Sequence, residues 1–151
     1  MFELQNIEEL EQWKSCNLDV WDYISNNIKP KIALLSSKLY FPKFIKFNEF
    51  YINERNFDEI SFKVSYENWI NNKNLDEISF EKSWNDVKLY EIFENTVENT
   101  PDIIFEQIGK IMEYSWLNCL NYQFPNNIFH TEFRHNDDEY GPVVTAWSSL
   151  K

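Results

Sequence analysis

Thr100-Pro-Asp-Ile-Ile-Phe-Glu-Gln-Ile-Gly-Lys-Ile-Met-Glu-Tyr-Ser-Trp-Leu-Asn-Cys-Leu-Asn-Tyr122 is followed, after Pro125-Asn-Asn127, by Ile128-Phe-His-Thr-Glu-Phe-Arg-His135 and then Pro142-Val-Val-Thr-Ala-Trp147. The first segment opens with a cap residue, a proline at the first helical position and an acid at the next. These signals predict a helix over about 101–122. Ile104, Ile108, Ile111 and Ser115 form one stripe, with Phe105, Met112, Trp116 and Cys119 beside it, so the helix is expected at the centre of the fold. The two following segments are β-prone and flank an acidic turn, which predicts a hairpin over about 128–148.

Outward from this unit, the period of the chain changes twice. Phe44-Ile-Lys-Phe47 and Phe50-Tyr-Ile52, separated by Asn48-Glu49, predict a first hairpin over about 43–54, although Glu is a poor second turn residue. Before it, Ile7, Leu10 and Trp13 recur at helical spacing after a cap at Asn6. Asn17 is read as the cap of a second helix with Leu18, Trp21, Ile24 and Ile28 on one face. Pro30 starts a third with Ile32, Leu35 and Leu39 turned inward, closed by Phe41-Pro42.

Between the hairpins lies an echo: Asn56-Phe-Asp-Glu-Ile-Ser-Phe62 returns as Asn74-Leu-Asp-Glu-Ile-Ser-Phe80. Each copy reads as a helix start capped by its Asn, giving helices over about 57–71 and 75–86, with Val87 to Phe93 a further helical turn. Two units are too few for a repeat array. With no β-α-β alternation, the expectation is one α+β domain over residues 1–151, with four to six helices packed on a small antiparallel sheet built from the two hairpins.

Composition narrows the functional classes. The chain has 151 residues, a net charge of −11 and 13 Phe, 8 Tyr and 6 Trp. Aromatic content of this order supplies a core and argues against disorder. The two glycines, Gly109 and Gly141, are too far apart for a phosphate-cradling loop, and so acidic a chain is a poor ligand for nucleic acid. No leader-like or membrane-spanning run is legible, so a cytoplasmic protein that does not enter the membrane is expected. Cys16 and Cys119 are expected as reduced thiols. Charge is uneven: residues 29–48 carry five lysines and no acid, whereas residues 49–98 carry twelve acids and five bases.

No catalytic motif is present. On an extended strand His130, Glu132 and Arg134 share one face and Phe129, Thr131 and Phe133 the other, with His135 turned away from His130. The spacing of His130, His135, Asp137, Asp138 and Glu139 matches no zinc or calcium motif, and no metal or other cofactor is expected. The acids of the turn, Asp137, Asp138 and Glu139, with Tyr140 and the neighbouring His130, Glu132 and Arg134, are instead the candidate surface for a basic protein partner. Acids steer such a partner and aromatics anchor it. A small metal-dependent or histidine-using enzyme and a homodimeric adaptor are the alternatives.

Three segments carry a resemblance: Ala33-Leu-Leu35 through Leu39-Tyr-Phe-Pro-Lys-Phe-Ile-Lys-Phe47 with Phe50-Tyr-Ile52, Trp84-Asn-Asp-Val-Lys-Leu-Tyr-Glu-Ile-Phe93, and Tyr140-Gly-Pro-Val-Val-Thr-Ala-Trp147. Together they resemble a pattern in small uncharacterised bacterial proteins, from which the chain departs at Glu49, where a Gly is expected. That family brings no activity. In size and acidity the chain is also similar to immunity proteins of bacterial toxin systems. This likeness implies a cytoplasmic protein that neutralises a basic toxin domain.

Overall fold

A computed structural model describes residues 7–71, 76–95, 100–135 and 141–149. The order is α1 (Glu8–Ser15), α2 (Val20–Asn27), α3 (Pro30–Tyr40), β1 (Phe44–Phe47), β2 (Phe50–Asn53), α4 (Glu59–Asn71), α5 (Glu77–Trp84), β3 (Val87–Lys88), α6 (Leu89–Ile92), α7 (Asp102–Gln123), β4 (Phe129–Arg134) and β5 (Val143–Ser148). The α+β architecture is the expected one. The described residues form seven helices, and the hairpins lie in two sheets, β1-β2 and β3-β5-β4, all of whose pairings are antiparallel.

Local chemistry explains the boundaries, and corrects several. Asn17 does not cap α2. It takes φ 59° in the turn after α1, a left-handed position that Asn tolerates. Asp19 is the cap: its carboxylate accepts from the amides of Trp21 (2.8 Å) and Asp22 (3.0 Å), and Asp22 accepts in return from Asp19 N at 2.8 Å. In the first hairpin Phe47 faces Phe50, and Asn48 takes the positive φ (53°), so Glu49 is spared it. α7 begins one residue later than expected, with Pro101 as N-cap and no side-chain cap bond. Residues 87 and 88 are not helical. Val87 and Lys88 pair with Val144 and Val143 as β3. The Asn6 cap falls outside the described residues.

The echo has a structural meaning. Its caps are Asp58 and Asp76, two residues after the asparagines: Ser61 N donates to Asp58 (2.8 Å) and Ser79 N to Asp76 (2.6 Å). These bonds hold both carboxyls below the usual Asp range, led by the Ser61 side chain for Asp58 and by the Ser79 amide for Asp76. Asn56 instead donates to the Trp84 carbonyl (2.8 Å), and the Trp84 indole donates to the Asn56 carbonyl (3.2 Å), tying the start of the first copy to the end of α5. Asn74 lies outside the described residues. Phe62 and Phe80, the equivalent residues, meet edge to face at 5.2 Å. With Phe50 and Ile52 they form one core, flanked by Phe47, Phe57, Tyr66, Trp69 and Trp84. Rings at these separations and tilts add to the area they bury.

The second core lies between α7 and the three-stranded sheet. Phe105, Met112, Trp116 and Leu120 face Phe129, Val144 and Ala146, with Phe44 and Tyr51 arriving from the first hairpin. Ile104, Ile108 and Ile111, expected as the inward stripe, are half-buried at its margin. Gly109 is required by proximity: a Cβ there would fall 2.4 Å from the Phe133 ring. Gly141 takes φ 76° against the Tyr90 ring, which excludes a side chain twice over.

Glu81 of α5 and the helix's C-cap Asn85 join the sheets where strand pairing stops. Glu81 accepts from Tyr51 N of β2 (2.7 Å) and from both the amide (3.0 Å) and hydroxyl (2.8 Å) of Ser148 on β5. Asn85, one turn on, donates to the carbonyls of Tyr51 (2.8 Å) and Ala146 (2.9 Å) and accepts from Asn53 N at 2.9 Å. Both residues are fully buried. They occupy the place of a strand between β2 and β5, and leave those backbone groups satisfied.

Candidate functional site

The candidate face lies where strand alternation places it. Register pairs His130 with Trp147, Glu132 with Thr145 and Arg134 with Val143. His130, Glu132 and Arg134 therefore share the side of the sheet that α5 covers, and Phe129 and Phe133 the side that α7 covers. His135 turns toward α7, with Nδ1 3.8 Å from Glu106 Oε1, away from His130.

α5 contributes the partners. Lys82 stands on α5 and Asp86 just past its C-cap, each following one of the buried joint residues by one position. Lys82 Nζ is 2.7 Å from Glu132 Oε2 and 4.2 Å from the centre of the Trp147 ring. His130 stacks on the same indole, centroids 5.3 Å apart and planes at 22°, with Nε2 2.7 Å from Ser149 Oγ. Arg134 pairs with Asp86, whose Oδ1 is buried without a partner among the described residues. Thr145 Oγ1 donates to the Lys82 carbonyl at 2.6 Å and seats the helix on the strand. A shallow groove of about 330 Å³ runs between Ser79, Lys82, Ser83, Asp86, Glu132 and Arg134.

This arrangement differs from an acidic patch. Each acid of the face has its own base, so the local charge cancels. The more exposed of the two pairs, Lys82–Glu132, contributes about 0–1 kcal/mol. Asp137, Asp138, Glu139 and Tyr140 lie outside the described residues. Lys82, Asp86 and Trp147 escaped the sequence reading. The signal was the doubled spacing of four at the end of α5, Glu81 with Asn85 and Lys82 with Asp86, one pair buried and the next toward the sheet edge.

No family model matches the chain, and searches of curated proteins and of solved structures found no match either. The chemistry must therefore be read from the side chains. Among the described residues no three His, Cys, Asp or Glu side chains gather as a metal site. Both cysteines are free thiols. Burial pushes the Cys119 thiol up, the opposite of activation, and its Sγ lies 3.9 Å from the Tyr40 carbonyl. No helix among the described residues is long and apolar enough to cross a membrane.

Two other surfaces stand out. A cleft of about 510 Å³ between the end of α3 and α7 is lined by Lys38, Phe41, Lys43, Asn118, Cys119 and Tyr122, and there the basic stretch meets exposed rings. Lys38 is engaged by Glu54 at 3.1 Å. On α4, Ile60 and Val64 are exposed one turn apart between Glu59 and Glu67.

Proposed function

We propose that the chain is a non-enzymatic protein-binding module, an immunity protein that blocks a basic bacterial toxin domain in the cytoplasm. The observation that carries this reading is the exposed face of α4, where Ile60 and Val64 project among Asp58, Glu59, Lys63 and Glu67; Lys63 is taken up by Glu59 at 2.6 Å, which leaves Asp58 and Glu67 as the net acids of the face. Acids around an apolar centre attract a cationic partner and then give it something to bury. The same segment belongs to the acid-rich run of residues 49–98, so the field is not confined to one helix. The sequence holds three more acids after β4, Asp137, Asp138 and Glu139, and they add to the negative charge that draws such a partner.

A tagged full-length chain, used as bait in extract of its native host over a salt series, tests this. One basic protein should be retained at low salt and released as salt rises. Replacing Asp137, Asp138 and Glu139 by Ala should slow its association and flatten the salt dependence, and Ile60→Asp should speed its release. Absence of any basic partner at low salt contradicts the reading.

A further inference from the structure

α1 closes on α2, with Leu10 buried and Trp13 edge to face with Tyr23 at 5.5 Å, but the apolar stripes of α2 and α3 stay uncovered. α2 and α3 contain no buried residue. Leu39 and Tyr40 at the end of α3 pack on the main core, and the Trp116 indole donates to the Leu39 carbonyl at 2.8 Å. One and two turns earlier the same stripe overhangs: Leu35 is 59% exposed and Ile32 52%, with Leu34 beside them at 73%. On α2, Trp21 is 72% exposed, and Ile24 and Ile28 are also open. Helices of eight and eleven residues are too short to persist in water on propensity alone, so a stripe of this kind needs a surface to close on.

Charge identifies that surface. α2 and its cap carry Asp19 and Asp22 and no base, whereas α3 and its cap carry Lys29, Lys31 and Lys38 and no acid. An anionic membrane would attract α3 and repel α2, together with Glu8 of α1, whose Glu11 is paired with Lys14 at 2.7 Å. A basic protein would do the reverse. Only a surface that is itself acidic on one side and basic on the other satisfies both, and the arm is such a surface. A two-fold axis brings each acidic helix over the basic helix of the other copy, with apolar stripes between them, and the contact closes without leaving a free end.

We propose that the chain forms a two-fold dimer through this arm, α2 of each copy lying on α3 of the other. The contact is independent of α4 and of any toxin, so either proposal can fail alone.

Sedimentation of the full chain over a concentration series reads the equilibrium. Wild type should convert from monomer to dimer. Leu35→Asp should raise the dissociation constant at least about tenfold, and the thermal midpoint extrapolated to low concentration should stay unchanged because the side chain is exposed in the monomer. Lys29→Glu with Lys31→Glu should weaken the dimer similarly while touching no apolar group. Spin labels on the exposed Cys16 should show a dipolar coupling between copies in wild type that both variants lose. A monomer at every concentration overturns the proposal, as does a dimer indifferent to both variants. Monomeric protein whose arm binds phosphatidylcholine vesicles containing phosphatidylglycerol would assign the arm to a lipid surface instead.

Discussion

Between β2 and β5 the side chains of Glu81 and Asn85 meet the backbone groups of Tyr51, Asn53, Ala146 and Ser148 in a buried joint, whereas α2 and α3 contain no buried residue. Both regions are rich in apolar residues at regular spacing. Phe62 on α4 is 1% exposed and Leu35 on α3 is 59% exposed, although each lies on a helical stripe. What separates them is what faces the stripe. α4 finds α5 and the first hairpin, and five rings from outside the helix, Phe47, Phe50, Phe57, Phe80 and Trp84, close over it. α3 meets the body only through its last turn. An apolar stripe therefore states that a helix needs a partner, and the tertiary contacts decide whether that partner is in the same molecule.

The largest effects should break the closed region. Phe62→Ala empties the centre of the aromatic cluster and should cost about 3–5 kcal/mol in chemical denaturation. Leu35→Ala in dilute protein should cost less than about 0.5 kcal/mol. Equal losses at the two sites would erase the distinction between the regions.

Next is the joint. Asn85→Ala leaves the carbonyls of Tyr51 and Ala146 and the amide of Asn53 without their partner in a fully buried site. At about 1–3 kcal/mol for a buried group left unpaired, a loss of about 3 kcal/mol or more is expected, with an unchanged helical signal just below the melting transition. A loss under about 1 kcal/mol would show that the sheets do not depend on this side chain.

A smaller effect sharpens the comparison by pH. Burial pushes the Glu81 carboxyl above the usual Glu range, against the pull of its bonds from Ser148 and Tyr51. An acid raised on folding contributes stability that is complete below its unfolded value, near 4.5, and is lost as pH rises through the folded one. Wild type should thus gain on Glu81→Gln when pH falls from neutrality toward that value. Asp58 and Asp76, both lowered, act in a separate window: their contributions are lost only as pH falls below the ordinary Asp range. A difference between wild type and Glu81→Gln that does not change with pH would contradict the buried carboxyl.

Much of this was legible in residues. Pro30 and Pro101 mark helix starts because their fixed φ suits those positions, and the β-prone residues of 44–47, 50–52, 128–135 and 142–147 mark the two hairpins. The echo pointed to two similar helices. β3 was not legible, since two residues become a strand only through the distant Val143 and Val144. Nor was the joint: Glu81 reads as one acid among many until Tyr51 and Ser148 are placed beside it. The cap moved from Asn17 to Asp19 because both residues suit a helix boundary, and only backbone geometry assigns which ends α1 and which starts α2. For the candidate face, alternation placed His130, Glu132 and Arg134 together, but their neutralisation by Lys82 and Asp86 needed the helix packed over them.

Amide hydrogen exchange across the full chain tests the contrast most directly. At low concentration the amides of α7 and β5 should exchange only by global opening, and those of α2 and the first turns of α3 orders of magnitude faster. As concentration rises, protection should appear in α2 and α3 and leave the body unchanged. Slow exchange of α2 at the lowest concentration, equal to that of α7, would contradict the account.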